Sequence, residues 1–250
     1  MAVFKVAFIN ELEKLYKKKK AVAAVILSFL VIILGQLLIL GVRSGFGIRG
    51  AGGGDFPLLV LSVVIYSLLP LFVALVTIDS FSGEFANQII RITLTRPVSR
   101  FKIFAAKVCA IAVFILFTLL IVFVFSTIIG VLFNGNGMDW SGLGRSLLAY
   151  LASLLPLLIL TLGIILLTHI MKSGISVFFM VILLFGASQV LALVFPQYSS
   201  IFITTHLGWY KIWLAQPFPV SVILRDLFLM TGFGMMLFVA GLYLFERKEF

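Results

Sequence analysis

Three groups of residues invite a chemical reading: a glycine-rich stretch, a few ionisable or nucleophilic side chains near long apolar runs, and a charged segment containing Asp79, Ser82 and Glu84. Gly45, Gly47 and Gly50 satisfy the G-x-G-x-x-G spacing that lets a backbone approach a pyrophosphate. That chemistry needs a preceding strand and a following helix in a βαβ unit. Here the stretch lies between two runs long enough to cross a bilayer, so residues 41–54 read as a flexible turn. No Gly-Lys pair occurs in the sequence, which excludes a Walker A loop. The single cysteine, Cys109, forms no disulfide within the chain, and no Cys/His group has metal-ligand spacing. Ser188 follows Gly186 and Ala187 but lacks the next glycine of a membrane serine protease. An enzyme is therefore the weaker reading, and the chain is expected to be non-catalytic.

Ionisable groups deep in a membrane mark proton relays and ion pathways, because burying them there is costly. Asp79, His169, Arg225 and Asp226 all fall at or near the ends of apolar runs, leaving an ion-coupled carrier without its usual coupling residues. Adjacent Arg225 and Asp226 can be satisfied by headgroups, water or neighbouring helices.

These residues must be held by elements of one kind. Apolar types make up 62% of the 250 residues and charged types 11%, a composition that puts the chain in lipid. Six runs are long enough to span: residues 21–42, 56–78, 108–133, 147–170, 175–195 and 222–245. The third demands tilt or a protruding end. The expected fold is all-α, a single membrane domain over residues 1–250. No internal repeat is read from residue identities.

Fourteen of the nineteen Lys and Arg residues fall on one side if the N-terminus is inside, which predicts both termini in the cytoplasm of a plasma-membrane protein. The net charge of +10 thus belongs to loops and headgroups rather than to a nucleic-acid surface. Trp140, Trp209 and Trp213 then lie near the outer face as belt residues. Residues 2–18 carry Phe4, Phe8, Leu12 and Leu15 or Tyr16 on one helical stripe and Glu11, Glu13, Lys14 and Lys17 on the other surface, an interfacial helix beside membrane lipid. Residues 196–219 are too short to cross yet rich in aromatic and aliphatic residues, so short helices dipping into the outer leaflet are expected. Pro70 and Pro156 remove backbone donors and should bend the second and fourth runs. Gln36 and Gln189 carry amides that must face protein or a water-filled path.

The longest charged segment runs from Asp79 to Lys107. It predicts a short helix over residues 84–95 that ends before Pro97, followed by a basic turn. Asp79, Ser82 and Glu84, then Pro97, Val98, Ser99 and Arg100, then Lys107 give this segment a pattern that resembles the ABC-2 type permeases, the membrane subunits of ATP-binding-cassette exporters. Gln88, Ile89 and Ile90 stand where that family often has Gly-Thr-Leu, and Ala106 replaces a usual glycine.

The resemblance implies a permease that forms the translocation path and pairs with a second permease chain, identical or related. It implies a separate ATPase subunit that binds ATP and Mg, with no cofactor in this chain. Glu84, Arg91, Arg96, Pro97, Arg100 and Lys107 become the ATPase-coupling residues of a cytosolic coupling helix and turn, and Gln36 and Gln189 lie near the translocation path or dimer seam. A re-entrant segment before the sixth span belongs to the same architecture. An ion-coupled carrier or channel and a membrane scaffold are the alternatives. ATPase-dependent flux, gradient-driven flux and assembly without flux separate the three.

Overall fold

The computed structural model describes residues 2–46, 54–86, 99–134, 140–171 and 173–247, and among these the chain is helical without strands. In order come α1 (Ala2–Tyr16), α2 (Lys19–Phe46), α3 (Phe56–Tyr66), α4 (Leu68–Ala86), α5 (Arg100–Asn134), α6 (Trp140–Ala152), α7 (Leu154–Ile170) and α8 (Gly174–Val194). Two 3-10 helices, Pro196–Ile201 and Ile203–Leu214, lead into α9 (Val220–Arg247). Five helical stretches are long and apolar enough to cross a membrane, or six if α3 and α4 form one bent span. The six apolar runs therefore reappear, each within a helix or a pair of helices.

Both proline-bearing runs break, and the breaks share a tetrapeptide. Ser67-Leu68-Leu69-Pro70 separates α3 from α4, and Ser153-Leu154-Leu155-Pro156 separates α6 from α7. A proline ring clashes with the carbonyl four residues back and leaves it without its amide donor, which places the break at Tyr66 and Ala152 rather than at the prolines themselves. The serines add to this. Ser67 Oγ donates to the Val63 carbonyl at 2.6 Å and Ser153 Oγ to that of Ala149 at 2.8 Å, drawing ladder acceptors toward a side chain. The first break bends the chain by 47°; the second bends it less. The same four residues thus mark a helix break at both places.

Helix α5 is the central rod. Its 35 residues extend about 52 Å, well beyond a hydrocarbon core of about 30 Å. Helices α1 and α2 pack along it, with Tyr16 against Phe117 at 5.5 Å between ring centroids and Phe29 against Phe125 at 4.1 Å. Helices α3, α4 and α7 complete the core, where Phe56, Leu61, Ile65, Phe104, Ile111 and Ile165 are fully enclosed.

Helices α2, α8 and α9 instead leave broad apolar faces uncovered, including Leu38, Leu183, Leu193 and Phe228. Side chains so apolar and so exposed are stable against lipid or another apolar chain, not in water.

The segment between α8 and α9 is helical, as expected, but of the tighter 3-10 kind, and it packs onto α3, α6, α7 and α8. Trp209 is buried and Trp213 half-buried against Ile159, Ile223 and Met230. Trp209 is thus covered by protein, while Trp213 keeps part of its ring exposed. Gly208 permits the close approach: a Cβ there would lie 2.7 Å from Tyr66 Oη, beside the first break.

Candidate functional site

The charged segment begins later and ends earlier than its charges indicate. Helix α4 runs past Asp79 to Ala86, and α5 starts at Arg100. The Ser99 carbonyl accepts from the amides of Lys102 and Ile103, opening the helix at Arg100. Lys102 and Lys107 therefore stand on the first three turns of α5, not in a loop, because lysine continues a helix as readily as leucine does. Residues 87–98, with Arg91, Arg96 and Pro97, lie outside the described residues, as does most of the expected coupling helix; of Glu84 the backbone, in the last turn of α4, is described.

Lys107 points inward. Its side chain is 2% exposed, and its ammonium donates to Glu11 Oε2 at 2.9 Å and to the Ser80 carbonyl at 3.0 Å. The Phe81 ring lies 5.8 Å away and adds a cation–π contact. Glu11 also accepts from Lys14 at 2.9 Å, so one carboxylate receives two ammonium groups. Glu11 is itself buried on the face of α1 that packs on α5, which corrects its assignment to the outer polar surface of that helix. It sits one turn before buried Leu15 and one after Phe8, so the stripe that faces protein carries a carboxylate within it. A buried charge is tolerated only when paired and hydrogen-bonded, and this arrangement supplies both.

Around the ion pair the ends of four helices meet in an aromatic cluster. Phe81 of α4 contacts Phe104 of α5 at 5.7 Å, His169 of α7 at 5.6 Å and Phe245 of α9 at 6.5 Å. His169 Nδ1 lies 2.6 Å from the Ile165 carbonyl, and its ring stands edge-on to Phe245. Arg100, half-exposed at the start of α5, donates from its guanidinium to the Glu246 carbonyl at the end of α9. A cation at a helix C-terminus is favoured by the unpaired carbonyls there. Helix α8 enters the same cluster at Gly174, where a Cβ would stand 3.0 Å from Ile78 and 3.4 Å from Ser82 Oγ.

Of the residues singled out in the sequence, Lys107 and Arg100 are thus brought to one end of the bundle, joined to α1, α4 and α9. Gln36 is buried on α2; the Gln189 Nε2 is enclosed without a hydrogen-bond partner among the described residues. Arg225 pairs with buried Asp226 through Nε and Nη2, at 3.1 and 3.0 Å, so the two neighbours satisfy each other. Ser188 bonds to Thr204 at 2.8 Å. Glu11 is the residue that spacing alone did not single out; the signal available was an acid placed between apolar positions of an otherwise regular stripe.

No metal-ligating group of three or more His, Cys, Asp or Glu residues occurs among the described residues. The arrangement is mechanical and electrostatic: a fixed cation holds three helices together at the two roots of an intervening segment.

A search of curated proteins finds no match. The family model described as ABC-2 family transporter protein matches residues 7–189, from within α1 through most of α8, and so includes Glu11, Ser80 and Lys107. Because that match covers well over half of its length, the chain belongs to the ABC-2 family of transporter proteins, as a multi-pass membrane component of an ABC transporter.

Proposed function

We propose that the chain is the permease subunit of an ABC exporter, paired with a second permease chain and driven by a separate ATPase that binds ATP and Mg. Both termini and residues 84–107 face the cytoplasm in this reading, with the 3-10 segment at the outer face as a re-entrant cap. Residues 84–98 form the coupling element, with Glu84, Arg91, Arg96 and Pro97 meeting the ATPase. Arg100 and Lys107 anchor its second root.

The observation that carries the reading is the Lys107 site. A segment that transmits force must be fixed where it joins the bundle, and Lys107 fixes α5 to α4 through Ser80 and to α1 through Glu11. The uncovered apolar faces of α2 and α8 support pairing with a second permease, with Gln189 near that seam and Gln36 turned inward within the chain.

Co-expression with the cognate ATPase tests the proposal. Glu84→Ala with Arg96→Ala is expected to leave membrane insertion intact while weakening ATPase co-purification or uncoupling hydrolysis from transport. Normal assembly and normal transport-linked hydrolysis would reduce residues 84–98 to an ordinary connector. Cysteines placed at Ser44 and Ser141, after replacement of Cys109, are expected to react with impermeant reagents added from outside; labelling only from the cytosol would reverse the topology.

A further inference from the structure

A cavity of about 390 Å³ opens between α7, α8 and the 3-10 segment, away from the ion-pair site. Its size falls within the roughly 300–1,000 Å³ of small-ligand sites. Leu160, Ile164, Val181, Leu184, Leu191 and Phe202 form most of its wall, and of its fifteen lining residues only Ser188 and Thr204 have polar side chains.

The two hydroxyls define what the cavity recognises. Ser188 Oγ donates its one hydrogen to the Phe185 carbonyl at 2.8 Å. The bond of 2.8 Å between Ser188 and Thr204 must then take its hydrogen from Thr204. Both hydrogens are used within the protein, so the pair offers the cavity only acceptor lone pairs. A purely apolar occupant would leave them unmet in a low-dielectric wall, whereas an O–H or N–H donor completes them.

The shape limits the occupant further. Along α8 the cavity runs from Val181 to Leu191, about 15 Å at a rise of ~1.5 Å per residue, which is half of a ~30 Å hydrocarbon core. Ser188 lies toward the end of α8 that meets the 3-10 segment, while the deeper part is apolar throughout. We infer that this cavity binds one acyl chain of a lipid from a single leaflet, a chain that carries a hydroxyl or amide donor close to its headgroup. The donor meets Ser188 and Thr204, and the rest of the chain lies along Val181 and Leu184.

Photolabelling of the full chain in phosphatidylcholine vesicles tests this, using a diazirine-bearing β-hydroxyacyl phospholipid and its counterpart without the hydroxyl. Labelling should map to peptides of α7, α8 and residues 196–214, and the hydroxylated probe should label about five-fold more, the worth of one hydrogen bond of about 1 kcal/mol. Ala187→Trp should abolish this labelling by filling the cavity; Gly163→Leu serves the same end should the tryptophan variant not fold. Ser188→Ala with Thr204→Val should retain labelling but lose the preference for the hydroxyl. Equal labelling of the wild-type protein by both probes would overturn the inference, as would labelling that neither filling substitution reduces.

Discussion

Lys107 and Glu11 stand 96 positions apart in the chain, yet their charged groups meet at 2.9 Å with the lysine almost wholly enclosed. This places the first helix and the central rod under one electrostatic constraint. The constraint also reaches α4, because the Ser80 carbonyl is the ammonium's second acceptor.

Removing one partner of that pair should therefore cost far more than removing both. Lys107→Met or Glu11→Gln alone is expected to lower stability by about 1 to 3 kcal/mol, since each takes one charged hydrogen bond from a buried group that keeps its others, Glu11 that from Lys14 and Lys107 that to Ser80. The double substitution Glu11→Leu with Lys107→Met should recover most of the loss. Thermal unfolding of the purified variants in detergent measures all three, and a double variant no better than the singles would show that the pair is not the source of the effect.

The bend at Ser67 rests on a missing amide and a competing hydroxyl. Pro70→Ala returns the donor for the Tyr66 carbonyl and should straighten the α3–α4 span, reducing its 47° bend. Spin labels at the exposed positions Leu59 and Leu71 would report the change as a longer distance. Pro156→Ala should alter the α6–α7 break less, because that break bends the chain less.

Gly208 and Tyr66 set the height at which the 3-10 segment rests on the bundle. Gly208→Ala would push a methyl group to within 2.7 Å of the Tyr66 hydroxyl, at an expected cost of about 1 to 3 kcal/mol. Tyr66→Phe removes the obstructing oxygen and should restore stability in the double variant. A full loss in Gly208→Ala that Tyr66→Phe leaves untouched would assign the cost to backbone conformation instead.

Burial, with a smaller contribution from nearby Tyr66, pushes the Tyr210 phenol up to about 12. An unfolded tyrosine titrates near ~10, so the folded state favours the neutral phenol. The stabilisation is complete below about pH 10 and is lost as the pH rises from there toward 12. Tyrosinate absorbance should show this group titrating late, and Tyr210→Phe should make the 3-10 segment less sensitive to alkali over that window.

Much of the fold was legible because lipid imposes one rule, that backbone polar groups be satisfied within a helix. That rule turned six apolar runs into spanning elements and Pro70 and Pro156 into breaks. It could not fix helix ends among charged residues, which is why Lys107 read as part of a loop: charge marks a boundary with water only when the side chain points outward. Glu11 was misplaced for the same reason, since its inward turn depends on a partner 96 residues away. The tryptophans of the 3-10 segment were read as belt residues from the charge-derived topology, which says nothing of the packing that sets Trp209 between Ile159 and Ile223. The second Ser-Leu-Leu-Pro was visible in the letters alone and became meaningful only when both copies proved to be helix breaks.

Those two copies have a mechanical consequence. Below its break α4 runs 19 residues and α7 runs 17, the two helices pack side by side, and Phe81 and His169 tie them together near their far ends. At ~1.5 Å per residue the two arms differ in length by about 3 Å. Two rods of nearly equal length, each starting at a helix break and in contact near its far end, share any load applied there.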